Sequence, residues 1–103
     1  MNSYVVNLYP VPNDGNLNET IAVSNSVVKS FTTSLDPKTT CCYVTIAGGD
    51  THVTFDGSTP SATNGHHLVV PYDRFWSKEA TRAAKFLATS GNTAHVTMSQ
   101  FTY

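Results

Sequence analysis

Hydrophobic and polar residues alternate along most of this chain, and the alternation has the period of β-strands. Successive side chains of a strand point to opposite faces, so alternate apolar positions define one buried face. In Cys41 to Ala47 the pattern puts Cys42, Val44 and Ile46 inward and Tyr43 and Thr45 outward. In Thr93 to Tyr103 it puts Ala94, Val96 and Met98 inward and His95, Thr97 and Ser99 outward. Thr51 to Phe55 alternates through Val53 and Phe55, and His66 to Val70 reads as a further strand. Thr20 to Ser34 predicts two short strands, or one strand bent at Ser24-Asn25-Ser26.

Turn chemistry separates these runs. Asp36-Pro37-Lys38 is a turn, and Pro71-Tyr72-Asp73 ends the strand begun at His66. Gly48-Gly49-Asp50 predicts a hairpin between the flanking strands, and Ser90-Gly91-Asn92 predicts a second. Ser77 is placed as an N-cap before Lys78-Glu79-Ala80, with Ala83 and Ala84 following. Propensity alone reads a helix from Ser77 to Leu87.

Asp56 to Gly65 is a polar loop with specified geometry. Asp56 can bond its own backbone, Gly57 accepts positive φ, Pro60 restricts itself and Thr59, and Gly65 closes the loop before the next strand. His66 follows as a candidate anchor for the loop. Met1 to Asn18 contains Pro10, Pro12 and Asn13-Asp14-Gly15-Asn16, and is expected as an N-terminal arm ahead of one domain, Glu19 to Tyr103. Tyr4, Val5, Val6, Leu8 and Tyr9 make that arm too apolar to rest in water, so a docking role on a neighbouring subunit is expected.

Composition sharpens the fold class. The chain has 103 residues, enough for one domain with a thin core. Only 13% of residues are charged, against roughly 25% in ordinary soluble domains. Ser and Thr fill the gap, and Thr suits strands. The expectation is an all-β domain, an antiparallel β-sandwich of seven or eight strands with one short helix.

A net charge of −1 and no basic cluster argue against nucleic acid as a partner. No apolar run approaches the roughly 20 residues needed to span a bilayer, so no membrane partner is expected. The N-terminus lacks the basic-then-apolar pattern of a secretory signal. This leaves the Asn18-Glu19-Thr20 sequon without a role.

Candidate chemistry is sparse. Adjacent Cys41 and Cys42 point to opposite strand faces and are expected as free thiols. His66 and His67 diverge for the same reason, whereas His52 and His95 sit at outward positions that could meet. No further ligands are placed to complete a metal site, so no metal and no cofactor are expected. Asp56, Asp73 and Glu79 are scattered, and no nucleophile elbow or helical His-Glu pair occurs, so no catalytic residue is assigned. Tyr72, Phe75 and Trp76 form an aromatic cluster expected on a loop. Trp76 can cap the core, anchor an interface, or stack on a sugar.

Phe55 to Leu68, reading Phe-Asp-Gly-Ser-Thr-Pro-Ser-Ala-Thr-Asn-Gly-His-His-Leu, resembles a segment of small virion proteins of tailed bacteriophages. The resemblance continues through Lys85-Phe86-Leu87-Ala88-Thr89, Ser90-Gly91-Asn92 and the final strand. It covers Thr40 to Tyr103, apart from the stretch Asp73 to Arg82, and does not include Met1 to Asn18. It implies a β-sandwich that decorates or joins parts of a particle. It also implies one or two helical turns after Ser77, followed by a strand near Ala84 to Thr89. The function so implied is a capsid cement or decoration subunit. The alternatives are a head–tail connector or tail-associated adaptor and, outside virions, a carbohydrate-binding module. The expected partners are capsid or other virion proteins and further copies of the chain, a trimer suiting three-fold shell junctions. The expected location is the virion, after assembly in the host cytoplasm.

Overall fold

The structure is a computed structural model, and it describes residues 11–13 and 18–102. Among these residues, eight strands form two antiparallel sheets, with one short helix between strands of different sheets. The larger sheet is built around β8, Ala94–Thr102. On one side β8 pairs with β3, Cys41–Ala47, which in turn pairs with β6, Tyr72–Ser77. On its other side β8 pairs with β1, Val11–Pro12, and β2, Asn18–Val23. β1 and β2 occupy the same edge in succession. Pro12 lies opposite Phe101, Asn13 N donates to Gln100 O at 3.0 Å, and Asn18 resumes the ladder opposite Ser99. Val11 to Asn13 therefore belongs to this domain's own sheet. Tyr4, Val5, Val6, Leu8 and Tyr9 lie outside the described residues.

The smaller sheet has the order β5-β4-β7, with β4 at Thr51–Thr54, β5 at His66–Leu68 and β7 at Lys85–Ala88. The two sheets enclose one core, an all-β sandwich. The inward residues of β3 and β8 are those that alternation predicts: Cys42, Val44, Ile46, Ala94, Val96 and Met98. Val23 and Trp76 join them, and Val53, Ala84, Phe86 and Ala88 close the core from the other side.

Helix α1, Lys78–Ala83, begins where the sequence places it. Ser77 Oγ accepts from Ala80 N at 3.1 Å, and Thr81 is buried with its hydroxyl donating to Ser77 O. It ends by Ala84, which is extended, and β7 follows at once. The shorter helix prevails over propensity because Phe86 is needed in the core, at 0% exposure.

Three expectations are corrected. Neither predicted hairpin forms. Gly48 to Asp50 carries the chain from β3 in the larger sheet to β4 in the smaller, and Thr89 to Thr93 carries it back from β7 to β8. The two crossings run side by side, with Thr89 N donating to Asp50 O at 2.9 Å.

The stretch after β2 is not a second regular strand. It touches the edge of β7 through Ser24 O and through reciprocal Lys29–Phe86 bonds of 3.0 and 2.8 Å. Its later amides are taken by Glu19, whose carboxylate accepts from Thr32 N, Thr32 Oγ1 and Thr33 N. Burial pushes the Glu19 carboxyl up, but these bonds together outweigh it and hold the group below its ordinary value.

Third, Tyr72, Phe75 and Trp76 lie on strand β6 and not on a loop. The turn at Val70-Pro71, a cis peptide, precedes β6 and does not include Tyr72.

Candidate functional site

Strand alternation splits the β6 aromatics between two faces. Trp76 points inward and is 8% exposed, stacked on Phe86 at 5.9 Å, with its indole N–H donating to Tyr72 Oη at 2.8 Å. Phe75 points outward and is 47% exposed. There it meets two aromatics from neighbouring strands. The Tyr43 ring on β3 lies at 4.9 Å, and the Phe101 ring on β8 packs edge-on at 5.3 Å. Tyr43 and Phe101 are 6.5 Å apart. Cys41, opposite both Phe101 and Ser77, is buried in the same stretch of this face. Burial pushes its thiol up, a hydrogen bond from Thr40 opposing.

Hydroxyl residues surround the aromatic patch. Thr45, Thr97 and Ser99 lie on the same face by register, as does Thr20, whose hydroxyl is 2.9 Å from that of Thr97. Tyr43 Oη donates to Asp73 Oδ2 at 2.9 Å. That bond, with some desolvation and the Asp73 charge, raises the Tyr43 hydroxyl above its ordinary value. The arrangement offers apolar and hydroxyl contact area with one carboxylate at its border. Interface hot spots take this form when aromatic rings sit inside a polar rim. Tyr43 and Phe101 were not singled out in the sequence. Their outward alternation was visible, but their meeting with Phe75 depends on the order β8-β3-β6.

The loop after β4 holds the resemblance residues. Asp56 Oδ1 accepts from Ser58 N at 3.0 Å and Ser58 Oγ at 2.5 Å, and these bonds hold the carboxyl below its ordinary value. Thr54 Oγ1 donates to Ser58 O, and Lys85 Nζ donates to Gly57 O. Pro60 is buried. Asn64 ties the far side, donating from Nδ2 to Thr59 O at 2.8 Å and exchanging backbone bonds with Ser61. His66 is exposed, its ring 5.9 Å from that of Phe55. The loop anchors are therefore Asp56, Pro60 and Asn64, with Asn64 taking the part expected of His66.

Gly57 and Gly65 separate two kinds of glycine requirement. Gly57 has φ +86° with open space where a Cβ would go. Gly65 has φ +103°, and a Cβ there would sit 2.5 Å from Val53 O and 2.9 Å from Thr54 Cγ2. Gly57→Ala is expected to cost about 1 kcal/mol from backbone conformation alone. Gly65→Ala adds a clash with backbone that cannot move freely, and is expected to cost about 2 kcal/mol or more. Urea melts of the two variants check the order; equal midpoints would refute the steric argument.

The histidines also regroup. His52 does not meet His95, which lies on the other sheet opposite Ala22 and Ala47. His52 instead faces His67 across β4–β5, with ring centroids 5.0 Å apart. His67 Nε2 lies 3.5 Å from Asp50 Oδ2, and Asp50 Oδ1 accepts from Val70 N. Desolvation, then the nearby His67, lowers the His52 pKa below its ordinary 6.5. A depressed histidine makes the unfolded chain bind more protons near that pH, so stability rises with pH and falls as pH drops through about 6.5. His52→Gln is expected to flatten that part of the stability profile, read as melting temperature between pH 5 and 7.5.

Among the described residues, no three His, Cys, Asp or Glu side chains are placed to hold a metal ion. No helix among them is long and apolar enough to cross a membrane. No protein-family model, curated protein or solved structure matches the chain.

Proposed function

We propose that this chain is a structural, non-catalytic virion protein of a tailed phage, a cement or decoration subunit that bridges neighbouring capsid subunits. The reading begins from the likeness of Phe55 to Leu68 to small phage virion proteins. The structural observation that supports it is the outward patch of Tyr43, Phe75 and Phe101 on a hydrogen-bonded sheet. A cement subunit needs a stiff core and a few adhesive contacts. Each contact can be weak, because several on one shell add through avidity. The low charge suits a surface that packs against protein, since charged groups are depleted in interface cores.

Such a subunit assembles in the host cytoplasm and ends on the particle. Mass spectrometry of purified particles tests this reading. Copies comparable in number with the major shell protein support decoration. A single ring's worth supports the connector alternative, and absence from particles removes both. Adding the purified chain back to stripped shells provides a second measurement. The expected result is restored shell stability with the native chain and weaker binding with Phe75→Ser.

A further inference from the structure

We propose that β6 pairs with β6 of a second copy across a two-fold axis at Phe75, joining two larger sheets into one. The inference stands apart from the virion reading, because it needs only a second copy of this chain.

β6 is the last strand of the larger sheet, and its strand partner among the described residues is β3. A sheet edge presents a row of N–H and C=O groups that can pair with another strand. Which groups face outward follows from their side-chain contacts. Arg74 Nη1 donates to Asp73 O at 2.7 Å, and Thr81 Oγ1 donates to Ser77 O at 2.9 Å. In an antiparallel ladder, alternate residues direct their backbone groups to opposite sides. Carbonyls met by these side chains belong to odd-numbered residues, so Asp73, Phe75 and Ser77 carry the groups directed away from β3.

Two-fold pairing of identical antiparallel strands puts one residue opposite itself, and charge discriminates among the registers. With Asp73 on the axis, two carboxylates meet. With Arg74 on the axis, two guanidinium groups meet. With Trp76 on the axis, Arg74 meets the Lys78 of the second copy. With Phe75 on the axis no like charges meet. Phe75 then faces Phe75, Arg74 faces Trp76, Asp73 faces Ser77, and Tyr72 faces Lys78. Directly opposed like charges are unfavourable and aromatic pairs favourable, so among these four central registers, which keep the most of β6 paired, Phe75 on the axis is favoured.

The same register uses the odd-numbered edge groups. Phe75 exchanges both backbone bonds with its mate, and the pairing centres there because Ser77 O is already taken by Thr81 Oγ1 and Asp73 O by Arg74 Nη1. It also extends burial beyond the backbone. Phe75 is 47% exposed and already contacts Tyr43 and Phe101, so placing it on the axis fuses two aromatic patches into one strip. The contact is isologous and closes on itself, which ends assembly at a dimer along this edge.

Sedimentation of the full chain over a range of concentrations tests the proposal, with circular dichroism as the fold control. The expected result is a dimer that dissociates on dilution. Phe75→Glu, which sets two carboxylates on the axis, is expected to weaken it at least about tenfold. In a Cys41→Ser background, Phe75→Cys is expected to form an intermolecular disulfide under mild oxidation, because opposed strand residues lie within disulfide reach. Thr45→Cys, on the same face but on β3, is expected not to. The crosslink decides the matter even where Phe75→Glu fails to fold. A monomer at every concentration overturns the proposal, as does a dimer that position 75 neither weakens nor crosslinks. A dimer lost on deleting residues 1–10 but kept in Phe75→Glu also overturns it, and assigns the contact to the N-terminal segment.

Discussion

Phe86→Ala is expected to cost about 3–5 kcal/mol, the range for deleting a buried aromatic ring from a core. Phe86 is fully buried in β7 and joins the two sheets. Its ring stacks on Trp76 of the larger sheet at 5.9 Å and meets Phe31 edge-on at 5.4 Å. Trp76 in turn carries Phe55 and bonds Tyr72. Alanine would leave a void that a short, pinned strand cannot collapse into, because both edges of β7 are bonded, to β4 and to Lys29. A single domain of this size has total stability of roughly 5–15 kcal/mol, so a large fraction would be lost. Denaturant melts check it. A loss under about 1.5 kcal/mol, the range of volume-conserving swaps, would mean that the site repacks and that Phe86 is not the link between the sheets.

Gln100→Leu is expected to cost about 2–4 kcal/mol, despite adding an apolar residue to the interior. Gln100 is 2% exposed, and both its amide oxygen and its amide nitrogen are bonded. Oε1 accepts from Asp36 N at 2.8 Å and Thr39 Oγ1 at 2.7 Å, and Nε2 donates to Ser34 O at 3.2 Å. Thr39 Oγ1 also accepts from Asn13 Nδ2, and the Asn13 amide reaches Thr102. One glutamine thus fastens the connection between β2 and β3 to the end of β8 and to β1. Leucine would strand a backbone N–H, a buried hydroxyl and a carbonyl together. Proteolysis with mass mapping locates the effect: the expected first cleavage in the variant falls within Ser34 to Thr40. Unchanged stability would show that water replaces the amide at no cost.

Gln100 also illustrates what could be read in the sequence. The inward series Ala94, Val96, Met98 extends by period two to Gln100, so its burial was legible. Its partners were not, because Ser34, Asp36 and Thr39 lie more than sixty residues away. Ser77 was the opposite case, since a cap bonds an amide three residues on. Asp56 and Gly57 were legible for the same reason. The aromatic patch was legible only in part. Phe75 was in the expected cluster, but Tyr43 and Phe101 came to it through the strand order, and Trp76 left it for the core.

The sequence by itself determined the class of the fold, the inward faces of β3 and β8, the start of the helix and the turn at Asp56-Gly57. Each depends on side-chain direction or on bonds within a few residues, which a local pattern records. Tertiary structure alone decided that Gly48 to Asp50 and Thr89 to Thr93 cross between sheets, and that His52 meets His67 and not His95. It alone decided that Glu19 captures the amides of Thr32 and Thr33. A strand's alternation says which side is buried but not which strand lies beside it. That choice depends on the burial gained by the whole chain, and distant segments contribute to it as much as neighbours do.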